Sequence, residues 1–379
     1  MTIDIKEKEP LLRDFHKNML KDGWSYDGCA PTEKDRDLLV NFDCVVQEFK
    51  KVPTKYAEII TDIAIQMGNG MADYAINGEF NEKGVDTIKD YELYCHYVAG
   101  VVGEGLTRLF VTAELANPRL KEKKVLTESM GQFLQKTNII RDIREDWDLG
   151  RRWWPREIWT QYFDKFEDMF EPANRQKAVW CLNHMVLNAL KHAEDCIFYM
   201  AGVRDQSVFN FVAIPQSMAI ATLEHVFGNP KVFDQNVKIT KGDACQLMVD
   251  STQNLFVVCD VFRRYARRIH QKADPRDPNY LAISIRCGKI EQFIETIYPR
   301  VTAEKAQKNY DMKVRKDPGM AIGDGLILVV VVVLVMVLMA LLMVSLLLWS
   351  HSGLILHGHL PSGSALHGEK PAFVAKRAR

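Results

Sequence analysis

The sequence contains 379 residues, of which 49 are basic and 49 acidic, so its formal net charge at pH 7 is +0. Such a balance gives no bulk electrostatic attraction for nucleic acid, and we expect no nucleic-acid partner. The eight cysteines stand singly, without a C-x-x-C pair. This pattern favours reduced, mostly buried thiols in a cytosol-facing domain over a disulfide framework or a zinc site.

The first 300 residues have the texture of an all-α domain. Apolar residues recur every three or four positions, and strict two-residue alternation is scarce. A helix is predicted to run from Pro172 or Asn174 to about residue 200, and Gly150 and Pro155 are predicted to end the helix before them. No internal repeat is found, so residues 1–300 are interpreted as one helical domain.

The stretch YCHYVAGVVGEG (94–105) is rich in small residues. Its glycines follow no predicted strand, which argues against a dinucleotide-binding loop. We expect a helix whose small residues let another helix or a ligand approach closely. Tyr94 and Tyr97 are candidates to line a cavity, or else simply structural tyrosines.

The stretch NIIRDIREDWDLGRRWWP (138–155) carries the densest group of carboxylates. Residues four apart share a helix face, so Asn138, Asp142 and Asp146 form one stripe, with Gln135 and Glu145 beside it. Buried carboxylates need a partner, and Mg²⁺ prefers one or two carboxylates together with substrate phosphate oxygens. The stripe therefore predicts a magnesium site that faces a cavity.

A solvated acidic face is the alternative interpretation of this stretch. Arg141 and Arg144 would then neutralise the carboxylates at the surface. The flanking run FLQKTNII (133–140) is too apolar for a surface helix, which favours the metal site.

Two later stretches contain weaker signals. Phe209 and Phe211 lie before a proline in QSVFNFVAIPQ (206–216), where aromatic faces could stabilise a cation or merely fill the core. Lys238 and Lys241 in VKITKG (237–242) are possible phosphate contacts.

The C-terminal part differs from the rest. Residues 326–349 are uncharged and exceed the roughly 20 residues that a helix needs to cross a bilayer. Basic residues precede this span (Lys313, Arg315 and Lys316), which predicts a cytosolic N-terminal domain. Residues 301–325 are then a linker, 326–349 a transmembrane anchor in contact with membrane lipid, and 350–379 a short lumenal tail.

Four stretches, in this order along the chain, together resemble the squalene synthases, and the fungal members most closely. They are YCHYVAGVVGEGLTRLF (94–110), FLQKTNIIRDIRED (133–146), QSVFNFVAIPQSMAIATL (206–223) and VKITKGDACQLM (237–248). The resemblance implies an isoprenoid-synthase-type helical bundle. It also implies a farnesyl-diphosphate farnesyltransferase of sterol biosynthesis, monomeric and anchored in the endoplasmic reticulum membrane. Two farnesyl diphosphates would condense to presqualene diphosphate, which NADPH would reduce to squalene.

The resemblance also implies roles for particular residues. Asp142 and Asp146, with Glu145 beside them, would bind Mg²⁺. Diphosphate or the phosphate of NADPH would meet Arg141 and Arg151, and Gln135 and Asn138 would complete the polar wall.

Further roles follow from the same resemblance. Tyr94 would act in the first half-reaction as proton acceptor, and Phe209 and Phe211 would flank the cation in the second. Lys238 matches a residue of the NADPH site. Thr240 stands where the family often has a basic residue, which makes Lys241 the candidate replacement.

The family has a first D-x-x-E-D helix upstream of the part that this sequence resembles. The segments DTIKD (86–90) and DKFED (164–168) have similar spacing. Asp86 is better interpreted as a helix N-cap, and DKFED lies in a polar stretch beyond the metal helix. Either the natural protein continues upstream of Met1, or the chain is short and inactive because only one carboxylate wall remains.

Two other functions stay open on the sequence alone. A phytoene-synthase-like condensing enzyme would share the carboxylate helix but would not use NADPH. A catalytically dead, membrane-tethered relative would bind isoprenoids without releasing diphosphate.

Overall fold

The computed structural model describes residues 3–76 and 84–299, and helices dominate both ranges. The α-helices are α1 Ile5–Arg13, α2 Phe15–Asn18, α3 Arg36–Val40, α4 Phe42–Phe49, α5 Thr54–Ile76, α6 Ile88–Cys95, α7 Val101–Thr112, α8 Lys124–Arg141, α9 Ile143–Asp148, α10 Arg156–Trp159, α11 Arg175–Leu190, α12 Ala193–Ala201, α13 Gln206–Val226, α14 Lys241–Ser251, α15 Leu255–Lys272 and α16 Tyr280–Ile297. Apart from an isolated β-bridge between Ala116 and Val203, these ranges contain no β-structure. The predicted all-α class is confirmed.

Helix α8 lies at the centre of the bundle. It contacts α6, α7, α11, α12 and α13. Its apolar side chains, among them Phe133 and Ile140, are fully buried. Burying a side chain of this size contributes roughly 1.5–3 kcal/mol, so the apolar side chains of α8 contribute substantially to the stability of the core.

Small residues let α7 pack closely on α8. A Cβ atom added to Gly103 would collide with the carbonyl oxygen of Thr127, and one added to Gly131 would collide with the carbonyl oxygen of Ala99. This confirms that the small residues of the 94–105 stretch permit close helix approach. Between α6 and α7 the chain forms a π-helical turn, His96–Gly100.

Some boundaries differ from the predictions. Helix α11 begins immediately after Asn174, as expected, but it ends at Leu190, and α12 starts at Ala193. The predicted single helix to residue 200 is therefore wrong. The break contains His192, whose ring contacts α8. The N-cap of α6 is Thr87, which forms a capping box with Asp90, so the N-cap prediction for Asp86 is also wrong.

A buried polar cluster, which we call the lysine cluster, ties α8 to its neighbours. Lys136 is fully buried; its Nζ donates to Glu92 Oε1 at 3.0 Å and to His192 Nε2 at 2.9 Å. The other ring nitrogen of His192 lies 3.0 Å from Ser129 Oγ, which donates to Asp195 Oδ2 at 2.8 Å. Burial, together with nearby Lys136, lowers the pKa of His192 to about 3, so the ring is neutral.

All eight cysteines are free, and six of them are buried, as the sequence predicted. Within residues 3–76 and 84–299, none of the helices is both long enough and apolar enough to span a bilayer. The predicted linker, transmembrane anchor and tail (301–379) lie outside the described residues.

Candidate active site

The carboxylates of the 138–155 stretch lie where α8 ends and α9 begins. Asp142 is the residue between the two helices, yet its N–H donates to the Asn138 carbonyl at 2.9 Å, and Asp146 N–H donates to the Asp142 carbonyl at 2.8 Å. The helical path therefore continues, and the predicted stripe is kept. Only Asp146 is buried, at 6% exposure, whereas Asn138 and Glu145 are exposed. We call Asp142, Glu145 and Asp146 the carboxylate wall.

Arginines pair with two members of the carboxylate wall. Arg141 donates to both oxygens of Asp142, at 2.7 and 2.6 Å. Arg151 donates to Asp146 Oδ1 at 2.9 and 2.8 Å. Arg144 pairs instead with Asp148, away from the wall. Each of the two paired carboxylates thus has one cationic partner.

The pKa of Asp146 is raised even though Arg151 contacts it. Burial is the largest cause and outweighs the guanidinium, and the charges on Asp142 and Glu145 raise the pKa further. Burial therefore destabilises the ionised form of Asp146 by more than the Arg151 guanidinium stabilises it. Its ionised form would be stabilised by a further cation.

The turn after α9 brings Arg151 back to Asp146. Gly150 has φ +71°, its N–H donates to the Trp147 carbonyl at 2.9 Å, and Arg151 N–H donates to the Asp146 carbonyl at 2.7 Å. These paired bonds form a Schellman motif, in which glycine supplies the left-handed residue. Gly150 therefore ends the helix as predicted and also sets the position of Arg151.

Asn236 also contacts the carboxylate wall, and no pattern in the sequence predicted this contact. Its Nδ2 donates to Asp142 Oδ1 at 2.9 Å and to Glu145 Oε2 at 3.2 Å. Asn236 lies in a non-helical segment far along the chain from both carboxylates, so helical spacing could not have found it.

A cavity of about 370 Å³, the cationic cavity, lies beside Arg151. Its charged lining consists of Lys8, Arg151 and Arg152, with no acidic side chain among the described residues that line it. Lys8 was missed, although its four-residue spacing to Leu12, which also lines the cavity, places both on one face of α1. Three cations around one space favour a polyvalent anion such as a diphosphate.

Tyr94 forms part of the wall of the cationic cavity, as the sequence suggested. Its ring stacks on Trp153 at 4.1 Å between centroids and meets Tyr74 edge-on at 5.1 Å. Burial, followed by nearby Cys95 and Asp146, raises the pKa of Tyr94, while Arg151 lowers it. The phenol is therefore protonated at neutral pH.

A second cavity, of about 240 Å³, is almost wholly apolar. Gln135 and Phe211 line it, and Phe110 packs edge-on against Phe211 at 6.3 Å. We call it the apolar cavity. Val98, in the π-helical turn, lines both cavities, so the two spaces are neighbours.

Phe209 is not brought to the apolar cavity. It is 7% exposed and lines a different pocket, with Asn254 and Leu255. Two residues along an α-helix are rotated by about 200°, so Phe209 and Phe211 point to opposite sides of α13. Of these two described residues, Phe211 lines the apolar cavity and Phe209 does not.

Lys238 and Lys241 are exposed and flank the start of α14. Thr240 is the N-cap of this helix, and its Oγ1 accepts from Asp243 N at 3.1 Å. Capping explains physically why a threonine suits this position. Lys241 then occupies the first helical position and is exposed to solvent.

The carboxylates fit a magnesium site that substrate must complete. Among the described residues, no group of three or more His, Cys, Asp or Glu side chains could hold a metal ion by itself. Mg²⁺ is commonly held by one or two carboxylates together with phosphate oxygens and water, and the carboxylate wall offers such a partial set.

Comparisons with known proteins identify the fold and the family. A solved structure described as the complex of TcSQS with the ligand E5700 superposes with a TM-score of 0.74 at 37% identity, covering 78% of this chain and 85% of the other. The fold is thus an all-helical, squalene-synthase-like isoprenoid-synthase fold. The sequence profile of the family described as squalene/phytoene synthase matches residues 4–243. The chain belongs to the squalene/phytoene synthase family.

Fungal relatives are closely similar. The chain is 68% identical over 305 residues to a probable squalene synthase of Neurospora crassa, which covers 80% of this chain and 63% of that protein. It is 61% identical over 328 residues to the squalene synthase ERG9 of Gibberella zeae, covering 86% of this chain and 71% of the relative. The chain thus spans less than two thirds of the Neurospora protein's length.

Proposed function

We propose that this protein is a farnesyl-diphosphate farnesyltransferase that joins two farnesyl diphosphates head to head and reduces the product to squalene with NADPH. The observation that carries the proposal is the pair of neighbouring cavities that share Val98 in their linings. One is cationic and suits a diphosphate, and the other is apolar and suits an isoprenoid chain. The similarity to squalene synthases supports the same assignment.

Asp142, Glu145 and Asp146 are the residues proposed to hold Mg²⁺. When bound, the ion supplies a Lewis acid that takes up the negative charge of the departing diphosphate. The position of Asp146 supports this role: it is buried next to Asp142 and Glu145, and an added cation would stabilise its ionised form. Arg151 and Lys8 would hold the diphosphate from the side of the cationic cavity.

The apolar cavity is proposed to keep water from the allylic cation. Its lining is nearly free of polar groups, and the ring of Phe211 offers a π-face to a positive charge. Phe209 would act only indirectly, through the packing of α13.

Tyr94 is proposed to carry the proton that is lost when the cyclopropane of presqualene diphosphate closes. Because its pKa is raised, the phenolate is costly. The phenol must therefore pass its own proton to the departing diphosphate as its oxygen accepts the substrate proton. The stacking of Tyr94 on Trp153 fixes the ring for this exchange.

Lys238, Lys241 and Arg141 are proposed to meet the phosphate groups of NADPH, which when bound supplies the hydride. The exposed ammonium groups at the start of α14 fit an anionic ligand. Asn236 contacts Asp142, the partner of Arg141, and it precedes Lys238 by two residues along the chain, which supports a shared role for these cations.

Product analysis tests the proposed function. The detergent-solubilised full chain is incubated with farnesyl diphosphate and Mg²⁺, with and without NADPH. We expect presqualene diphosphate without NADPH and squalene with it. A phytoene-type enzyme would show no dependence on NADPH, and a catalytically dead relative would release no diphosphate. Either result would overturn the proposal.

Asp146→Asn is the matching variant, and Asp148→Asn is its control on the same helix. Asp148 is exposed and pairs with Arg144. We expect the first variant to abolish condensation and the second to retain it. Equal turnover of the two would argue against the metal role.

We further propose that residues 326–349 anchor a monomer in the endoplasmic reticulum membrane, with the helical domain in the cytosol. The uncharged span and the basic residues before it support this topology. Expressed in cells, the full chain should co-sediment with membranes and resist carbonate extraction. Two arginines placed in the middle of the span should release it.

A further inference from the structure

Within residues 3–76 and 84–299, no cationic side chain hydrogen-bonds to both Asp142 and Glu145, two like charges of the carboxylate wall. Asp142 is paired with Arg141, and Asp146 with Arg151, but Glu145 has neither arginine as its partner. The group that touches both Asp142 and Glu145 is the Asn236 amide, at 2.9 and 3.2 Å.

Asn236 is held firmly by its neighbours in the chain. Val237, which follows it, is 7% exposed, and Phe233, shortly before it, is 1% exposed. The Phe233 ring packs edge-on against Trp154 at 6.2 Å and against Phe170 at 6.1 Å. The short 3₁₀ helix that contains Phe233 contacts α9. The Asn236 amide is therefore fixed relative to the carboxylate wall.

At this position a neutral donor suits cation binding better than a charged one. A lysine or arginine would also bridge the two carboxylates, but its charge would compete with a divalent cation for them. The amide orients the same oxygens and leaves their negative charge in place. The Asn236 Oδ1 atom is buried and has no hydrogen-bond partner among the described residues, so one acceptor beside the wall is unsatisfied.

We infer that Asn236 is a positioning residue for the metal site: it holds Asp142 and Glu145 in the orientation that binds Mg²⁺ together with diphosphate. This inference rests on the proposed metal role of the carboxylate wall. Asn236 also belongs to the segment that continues to Lys238, so the same amide fixes the start of the proposed phosphate contacts. Partners that orient metal ligands typically change metal affinity 10- to 100-fold.

The test is a calorimetric titration of Mg²⁺ into the full chain in the presence of inorganic diphosphate. Asn236→Ala should weaken Mg²⁺ binding roughly tenfold. The control is Gln235→Ala, a truncation of the exposed neighbouring side chain, which should bind as the wild type does. Equal affinity of Asn236→Ala and wild type would overturn the inference while leaving the metal site intact.

Asp146→Asn separates this result from failure of the proposed function. If the wild type and Asp146→Asn both bind no Mg²⁺ in the presence of diphosphate, the metal role falls, and the inference about Asn236 falls with it. If the wild type binds and Asp146→Asn does not, the metal role stands and Asn236→Ala decides the inference alone.

Asn236→Asp keeps the inference testable if the alanine variant does not fold. An aspartate is similar in size but has no N–H to donate to Asp142 and Glu145, so the Mg²⁺-free protein should have a lower Tm than the wild type. Without the orienting donor, adding Mg²⁺ and diphosphate should raise its Tm by less than it raises that of the wild type. An equal rise in both proteins would indicate a purely structural asparagine and would overturn the inference.

Discussion

The lysine cluster and the carboxylate wall both place charged groups in or beside the helical core, on consecutive stretches of α8 and α9. They differ in how their partners are supplied. Lys136 is fully buried and bonded to Glu92 and His192. The carboxylate wall instead has an exposed glutamate and an adjacent unsatisfied acceptor.

A structural charge can be distinguished from a functional one by where its partners are found. Ionic groups that find all their partners within the fold contribute to its specificity or stability. Acidic groups whose negative charge exceeds the positive charge of their partners within the fold favour the binding of an external cation. Substitutions in the two clusters should therefore have opposite consequences for stability and for ligand binding.

Among the further substitutions that compare the two clusters, the largest effect is expected from Asp142→Asn. Removing one charge of the wall should lower the rate of presqualene diphosphate formation roughly 100- to 1,000-fold, the usual cost of losing one electrostatic group at a reacting centre. The Tm should change little, because the amide can still accept from Asn236. A rate near that of the wild type would remove the distinction between the two clusters.

Lys136→Met should show the reverse pattern. The methionine side chain fills most of the volume of the lysine but leaves Glu92 and His192 without their shared donor. We expect the free energy of unfolding to fall by about 2–3 kcal/mol, as for loss of buried hydrogen bonds to a charged group. Urea unfolding measures this change, and Mg²⁺ affinity in the presence of diphosphate should be unaltered. A large loss of affinity at full folding would show that the clusters are coupled.

His192 should make the lysine cluster sensitive to acid. Its pKa is lowered from 6.5 to about 3 by burial, so between these values the unfolded state binds one more proton than the folded state. The free energy of unfolding should therefore fall as the pH drops below 6.5, by up to about 1.4 kcal/mol per pH unit.

The variant His192→Gln measures this contribution. Glutamine can still accept from Lys136 but does not titrate. Between about pH 5 and 6.5 the difference in slope between wild type and variant isolates the histidine from the carboxyl groups, which titrate mainly at lower pH. Parallel curves would show that His192 is accessible to protons in the native state.

Gly150→Ala should have the smallest effect. At φ +71° an alanine costs about 1 kcal/mol, although there is open space around the added methyl group. Gly228→Ala is the matched control, since Gly228 has φ +68° and similarly open surroundings. Both should lower Tm alike, but only the Gly150 variant should weaken diphosphate binding, because Arg151 follows it.

The sequence predicted the all-α class, the helix end at Gly150 and the close packing through small residues. These features follow from local chemistry: periodicity, φ and side-chain size. Asn236 and the burial of Lys136 could not be predicted, because their partners lie far away in the chain. The separation of Phe209 from Phe211 was missed for a different reason. Helical geometry implies that the two rings point to opposite sides, but the family resemblance implies the same role for both residues.

The double attachment of Arg151 to Asp146 restricts the length of the chain between them. The same arginine reaches the aspartate through its backbone N–H and through its guanidinium, which closes a small ring over residues 147–150. An inserted or deleted residue in this ring would break one attachment or the other. Outside Gly150, this turn should therefore be less sensitive to the identity of its side chains than to the number of its residues.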